Sequence, residues 1–184
     1  LPESTVKPDG YTKYKIGSIT KTFTAVMIMQ LAEEKRLKLD DKLSKFYPKI
    51  PNSEKITIND LLRHRSGIVD YINGDSTVNV MEKVSKKEMV ERIAAYPSAF
   101  EPNSKAEYSN SNYYILGCII EDLTKVSYAT NLKNRITSRL KLRDTYLVDK
   151  VDVNRNESYS YLYNGTKWEL FPEWDMSLPF AAGG

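Results

Sequence analysis

The stretch Ile16-Gly17-Ser18-Ile19-Thr20-Lys21-Thr22-Phe23-Thr24-Ala25 opens a long apolar-faced segment of this 184-residue chain. Apolar residues recur there at helical spacing, which predicts an amphipathic helix over about residues 19–31. The residues that form the stripe are Ile19, Phe23, Val26, Met27 and Leu31. Ser18 should then lie at or beside the helix N-terminus. Lys21 follows three residues later, and residues three apart lie on the same face of a helix.

Ser18 and Lys21 are suited to acyl transfer. A serine hydroxyl is a weak nucleophile until a base removes its proton, and a lysine one helical turn away can serve as that base. The helix start adds partial positive charge and free backbone N–H groups, which stabilise negative charge on an acyl oxygen. The alternative interpretation is that Ser18 only caps the helix and Lys21 is solvated. The same spacing recurs at Ser4-Thr5-Val6-Lys7 and Ser138-Arg139-Leu140-Lys141, but neither of these follows a glycine and opens a long helix.

A second candidate group is Tyr108-Ser109-Asn110, directly before a strongly apolar segment. A tyrosine phenol near a serine and a lysine can share or relay the proton, and an asparagine amide can hold a substrate carbonyl while bonding the lysine. The spacing recurs at Tyr71-Ile72-Asn73, and the chain contains 13 tyrosines, so the pattern alone does not decide between them.

The remaining elements are mainly helical. Further helices are predicted over about residues 58–63, 86–96, 109–123 and 128–140. Two short apolar runs flank Asn164-Gly165-Thr166, and an Asn-Gly pair between such runs predicts a β-hairpin. Cys118 lies within an apolar run and is interpreted as a small buried hydrophobe.

Composition excludes several classes of function. The net charge is only +3, with 27 basic and 24 acidic residues, and basic residues alternate with acidic ones, so a nucleic-acid partner is not expected. One histidine and one cysteine supply too few ligands for a zinc site, and no metal is expected. No apolar run reaches the length of a membrane span, and the first residues do not resemble a signal peptide. The chain as given is expected to be soluble, and a signal or lipid anchor could have been removed from it.

Five segments together resemble one enzyme family. Residues 16–25 are similar to the nucleophile segment of class C β-lactamases, D-alanyl-D-alanine carboxypeptidases (penicillin-binding proteins) and related esterases. Four further segments follow in the family's order: Leu61-Leu62-Arg63-His64-Arg65-Ser66-Gly67-Ile68, then Phe100-Glu101-Pro102-Asn103 with Tyr108-Ser109-Asn110, then Leu140-Lys141-Leu142-Arg143-Asp144-Thr145, and finally Ala182-Gly183-Gly184. Asn103 stands where the family usually has glycine, and asparagine tolerates the left-handed backbone conformation that such a turn needs.

The resemblance implies a fold and a mechanism. The fold is α+β, of the β-lactamase and penicillin-binding-protein type, mostly helical here with part of an antiparallel sheet. Ser18 is the implied nucleophile, Lys21 its base, Tyr108 an assisting group and Asn110 the substrate-binding residue, with no cofactor. His64, the only histidine, is expected to tie a loop by hydrogen bonds rather than to act as a base.

The resemblance also implies that residues 1–184 form a single β-lactamase-like catalytic domain that lacks the family's first strands and its C-terminal strands, including a strand with a Lys-or-His-Thr-Gly triplet. Such a chain should be marginally stable, oligomeric, or stabilised by a partner that supplies the sheet. The implied substrates are β-lactams, cell-wall D-Ala-D-Ala peptides or esters, and the implied location is outside the cytoplasm. The alternative is a non-catalytic binding or regulatory domain of the same fold.

Overall fold

The computed structural model describes residues 8–74 and 79–184. Its regular elements are α1 (Thr20–Glu33), α2 (Ile58–Leu62), α3 (Lys86–Ala95), α4 (Asn110–Thr124), α5 (Tyr128–Leu132), β1 (Tyr161–Tyr163), β2 (Trp168–Leu170) and α6 (Phe180–Gly183). Short 3₁₀ turns occur at Gly17–Ile19, Leu43–Lys45 and Val153–Arg155. The architecture is therefore the predicted mixture of helices with a small antiparallel sheet.

Helix α4 is the centre of the core. Every residue from Asn110 to Ile120 is buried, as its apolar sequence predicts, and α1, α2, α3, α5 and α6 all contact it. Gly117 makes one of these contacts possible, because a Cβ atom there would lie 2.3 Å from the Cβ of Ala181 and 2.7 Å from the Phe180 ring. The short helix α6 can therefore lie directly on α4.

Helix α1 is apolar on two faces. Met27, Ile28 and Leu31 are fully buried in the core. Three members of the predicted stripe are not: Phe23 is partly buried, Ile19 is 62% exposed and Val26 is 42% exposed. Met29 extends this exposed face. Periodicity therefore located the helix correctly but did not distinguish its core face from its outer face.

The other predicted elements agree with the structure except at one place. Helices α2, α3 and α4 lie within about two residues of the predicted bounds, which is the usual uncertainty of helix ends. The predicted helix over residues 128–140 was wrong beyond Leu132, since the chain passes into a π-helical turn at Lys133–Thr137. Nothing in the sequence pattern explains this turn.

The predicted hairpin is confirmed. Strands β1 and β2 are antiparallel, with Tyr161 opposite Leu170 and Tyr163 opposite Trp168. In the connection, Asn164 Oδ1 accepts hydrogen bonds from the backbone N–H groups of Thr166 and Lys167, each at 3.0 Å. Gly165 has a φ of +98°, which a residue with a side chain would rarely adopt.

Across residues 8–74 and 79–184, no helix combines the length and the hydropathy that crossing a bilayer requires.

Candidate active site

Ser18 lies in the 3₁₀ turn directly before α1 and is exposed. Gly17, just before it, has a φ of +53°, in the left-handed region that glycine adopts readily. The Ser18 side chain makes no capping bond to either helical segment, so the capping interpretation does not hold. Within the described part of the chain, its backbone N–H has no hydrogen-bond partner.

Lys21 is buried, with only 7% of its surface exposed. Its ammonium group faces three oxygen atoms, one for each N–H: Ser18 Oγ at 3.1 Å, Asn110 Oδ1 at 2.8 Å and the Ala182 carbonyl at 2.6 Å. All three acceptors are uncharged. Two of them, Asn110 Oδ1 and the Ala182 carbonyl, belong to other elements of the fold. They hold Lys21 Nζ in place so that its third hydrogen-bonding direction points to Ser18 Oγ.

Tyr108 and Asn110 bring the start of α4 to the same place. The Tyr108 hydroxyl lies 2.7 Å from Ser18 Oγ and 3.4 Å from Asn110 Oδ1. The Tyr108 ring lies 4.7 Å from Lys21 Nζ, close enough for a cation–π contact. All four residues singled out in the sequence therefore meet in one hydrogen-bonded cluster.

The alternative segments with the same spacings lie elsewhere or outside the described residues. Tyr71 is fully buried and donates its hydroxyl to the Leu178 carbonyl. Ser138 and Lys141 are both exposed. The segment Ser4-Thr5-Val6-Lys7 falls outside the residues that the structure describes.

His64 has a structural position. Its Nδ1 accepts a hydrogen bond from the Ser109 backbone N–H at 3.1 Å, and its carbonyl accepts one from the Glu107 N–H at 2.8 Å. Its ring stacks on Tyr108 with 4.6 Å between centroids. Burial, followed by the positive charge of Lys21, lowers the pKa of His64 below its ordinary value of 6.5. His64 thus ties its loop to the start of α4 and supports the Tyr108 ring.

The turn at Asn103 confirms the expectation drawn from the glycine position of the family. Asn103 has a φ of +68°. Its backbone N–H donates to the Arg65 carbonyl at 2.8 Å, next to His64 in the chain. The turn therefore supports the loop that carries the histidine.

Two groups at the site were missed by the sequence analysis. The first is Asp70, whose carboxylate accepts hydrogen bonds from both the backbone and the side-chain nitrogen of Asn110. The second is the Ala182 carbonyl, which contacts Lys21. No local pattern links Asp70 to a residue 40 positions later, and a backbone carbonyl carries no side-chain signal.

A cavity of about 430 Å³ opens beside Ser18 and Asn110. Its wall is mainly apolar, from Ile72, Phe171, Trp174 and Met176, and its charged members are Lys15 and Glu173, which form an ion pair. A reactant of modest size can therefore reach the exposed serine hydroxyl.

Several known proteins are similar to this chain in sequence or in fold. A family profile described as Beta-lactamase matches residues 2–184. Protein flp of Staphylococcus aureus (strain MRSA252) is 34% identical over 167 residues, which are 88% of this chain and 33% of that protein. Teichoic acid D-alanine hydrolase of Staphylococcus aureus is 30% identical over 164 residues, which are 89% of this chain and 40% of that protein.

Among solved structures, D-amino acid amidase from Ochrobactrum anthropi SV3, complexed with L-phenylalanine, superposes with a TM-score of 0.86 and 27% identity, over 97% of this chain and 52% of that one. The chain thus spans about half of that structure and less than half of the two Staphylococcus aureus proteins. With nearly every residue inside the matched profile and the same fold in a solved relative, the chain belongs to the beta-lactamase family of serine hydrolases and penicillin-binding proteins.

Proposed function

We propose that the protein is a serine acyl hydrolase in which Ser18 is acylated by D-aminoacyl esters or amides. The observation that carries this proposal is the position of Lys21 Nζ, which is buried, held by two fixed oxygens and 3.1 Å from the exposed Ser18 Oγ. That arrangement pairs an accessible nucleophile with a base that water cannot easily reach.

In the proposed acylation, Ser18 Oγ attacks the substrate carbonyl carbon while its proton passes to Lys21 in the neutral form. The Ser18 backbone N–H, which has no partner among the described residues, is available to the developing oxyanion. The Tyr108 hydroxyl, 2.7 Å from Ser18 Oγ, is placed to relay the proton to the departing alcohol or amine. Loss of that group leaves an ester on Ser18.

In the proposed deacylation, water attacks the ester carbonyl and gives up a proton to the same base system. The C–O bond to Ser18 breaks, the free acid leaves and the serine hydroxyl is restored. Asn110 lines the cavity, and of the two N–H groups on its amide nitrogen, the one that does not bond Asp70 is proposed to bind the substrate carbonyl.

The relatives support the choice of acyl group. One is named a teichoic acid D-alanine hydrolase and another a D-amino acid amidase, and both names describe bonds to the carbonyl of a D-amino acid. The mainly apolar cavity beside Ser18 can take a small or aromatic side chain. β-Lactams and D-Ala-D-Ala peptides offer a carbonyl to the same nucleophile and are the alternatives within this mechanism.

A location outside the cytoplasm is part of the proposal. Teichoic acid, the polymer in the name of one relative, belongs to the cell envelope.

The test is a comparison of enantiomers with the whole protein. D-alanine methyl ester and D-phenylalanine amide are compared with their L forms, with product release followed by chromatography and Ser18 acylation by intact mass and peptide mapping. We expect the D forms to react faster. Ser18→Ala should abolish both signals, whereas Ser138→Ala, which removes the serine of the exposed Ser138–Lys141 segment, should change neither. Acylation of Ser18 without turnover would favour the non-catalytic binding domain, and no acylation by any of these compounds or by a penicillin would overturn the proposal.

A further inference from the structure

The carboxylate of Asp70 holds the side chain of Asn110 by its nitrogen. Asn110 Nδ2 lies 3.1 Å from each carboxylate oxygen, and the Asn110 backbone N–H donates to Oδ1, also at 3.1 Å. Further donors hold the carboxylate in turn: the Ile72 N–H at 3.3 Å and Asn73 Nδ2 at 2.5 Å. Asp70 is thus fixed by its own loop and grips Asn110 at three contacts.

The loop that carries Asp70 is itself fastened to α4. Ser111 accepts a hydrogen bond from the Tyr71 N–H at 3.1 Å and donates one to the Val69 carbonyl at 2.5 Å. Ser111 is fully buried. The residues on both sides of Asp70 are therefore bonded to the residue that follows Asn110, which gives the carboxylate little freedom to move relative to the amide.

An ionised carboxylate only accepts hydrogen bonds, so it selects one of the two orientations of the amide. With the NH₂ group toward Asp70, the Asn110 oxygen faces Lys21 Nζ at 2.8 Å. In the reversed orientation, an oxygen would face the two carboxylate oxygens and the NH₂ group would face the lysine ammonium. Both contacts would change from attractive to repulsive.

We propose that Asp70 is a positioning residue that sets the orientation of the Asn110 amide and thereby keeps Lys21 aligned on Ser18. Asp70 touches neither Lys21 nor Ser18, so its effect passes through Asn110. This inference rests on the proposed function, in which Lys21 is the base for Ser18. It adds Asp70 to the site as the residue that determines whether Asn110 Oδ1 is available as an acceptor for Lys21.

The inference is tested with Asp70→Asn, which keeps the shape of the side chain but can also present an NH₂ group to Asn110. The acylation rate constant at saturating substrate and the dissociation constant of the initial complex are measured separately on the whole protein. We expect the rate constant to fall by about 10- to 100-fold, by analogy with residues that orient the ligands of a metal ion, with the dissociation constant changed by about threefold or less.

The matched control is Asp60→Asn. Like Asp70, Asp60 is an aspartate whose carboxylate accepts hydrogen bonds beside a helix start: it is buried and bonds Thr57 at the N-terminus of α2. Both variants should unfold at lower temperature, but only Asp70→Asn should slow acylation per folded molecule. Equal slowing in the two variants would assign Asp70 a purely structural role.

A double-mutant cycle tests the route through Asn110. In an Asn110→Ala background, Asp70→Asn should cause no further loss of acylation rate, because the group that it orients is already absent. A full additional loss would overturn the inference while leaving the proposed function intact.

If Asp70→Asn does not fold, or if the wild-type protein is not acylated, the amide orientation is still measurable by NMR. A strong NOE between the Asn110 NH₂ protons and the Lys21 ε-methylene protons would show the reversed amide and overturn the inference. Its absence, with the NH₂ signals assigned, is the expected result.

Discussion

Ser18 Oγ lies 2.7 Å from the Tyr108 hydroxyl, although the two residues are 90 positions apart in the chain. The contact joins the turn before α1 to the second residue before α4. His64 stacks on the Tyr108 ring from the loop that follows α2. Three separate parts of the fold therefore determine where a single phenolic oxygen lies.

Tyr108→Phe removes this oxygen and keeps the ring. We expect the acylation rate to fall by about a hundredfold to ten-thousandfold, the range for loss of a group that transfers a proton, with little change in thermal stability. Stopped-flow acylation with a chromogenic substrate measures the rate. Tyr163→Phe, at an exposed position in the hairpin, is the control. An acylation rate within about twofold of wild type would remove Tyr108 from the mechanism.

Lys21→Ala should slow acylation by a similar or larger factor while weakening initial binding much less, because a base acts in the transition state. Separate fits of the rate constant and the dissociation constant distinguish the two effects. Lys141→Ala, in the exposed Ser138–Lys141 segment, should have neither effect. If Lys21→Ala raised the dissociation constant as much as it lowered the rate constant, Lys21 would instead be an electrostatic binding residue.

We expect the free energy of unfolding to depend on pH because of the position of His64. Burial and the Lys21 charge lower its pKa in the folded protein below the ordinary value of 6.5. As the pH falls through 6.5, the unfolded chain takes up a proton before the folded one does, so the free energy of unfolding decreases until the pH passes the folded pKa. Urea unfolding between pH 5 and 8 should show this decrease, and His64→Gln should show a smaller one. Parallel curves for the two proteins would mean that His64 does not contribute.

Two neighbouring residues on α1 separate its core face from its outer face. In the 184-residue chain, Met27→Ala should lower the free energy of unfolding by about 2–5 kcal/mol, because Met27 is fully buried. Val26→Ala should change it by about 0.5 kcal/mol or less, since Val26 is partly exposed. Denaturant unfolding of each variant gives both values.

The same pair tests whether a sheet covers the outer face in a longer protein, as the family resemblance implies. There, Val26→Ala should cost clearly more than in the 184-residue chain, while the cost of Met27→Ala stays the same. We expect the 184-residue chain to self-associate through the exposed face, and Val26→Lys should reduce that association in light scattering. A monomeric wild-type chain with a cooperative transition would contradict this expectation.

Local patterns in the sequence were enough to locate the helices and the hairpin. Apolar periodicity identified α1 and α4, and Asn164-Gly165 identified the turn between β1 and β2. Periodicity could not show which apolar face of α1 is covered, because Val26 and Met27 are both apolar and only the tertiary contacts distinguish them. The π-helical turn after α5 left no mark in the pattern.

At the candidate site, the side chains that belong to short recognisable motifs could be predicted from the sequence, and the groups that hold those side chains in place could not. Ser18 with Lys21 and Tyr108 with Asn110 each lie within four residues of sequence. Asp70 contacts a residue 40 positions later in the chain. In the sequence it is an aspartate shortly after a glycine, which is common in loops and does not indicate a site. Only the folded chain shows that its carboxylate faces an amide.

The third acceptor of Lys21 cannot be deleted by changing any letter of the sequence. It is the main-chain oxygen of residue 182, which every amino acid possesses. A substitution can therefore disturb it only by changing the contacts that position α6. One of these contacts is made at Gly117, where a single added methyl group would collide with Ala181 and Phe180. The third acceptor of Lys21 therefore depends on the absence of a side chain at a position inside the buried helix α4.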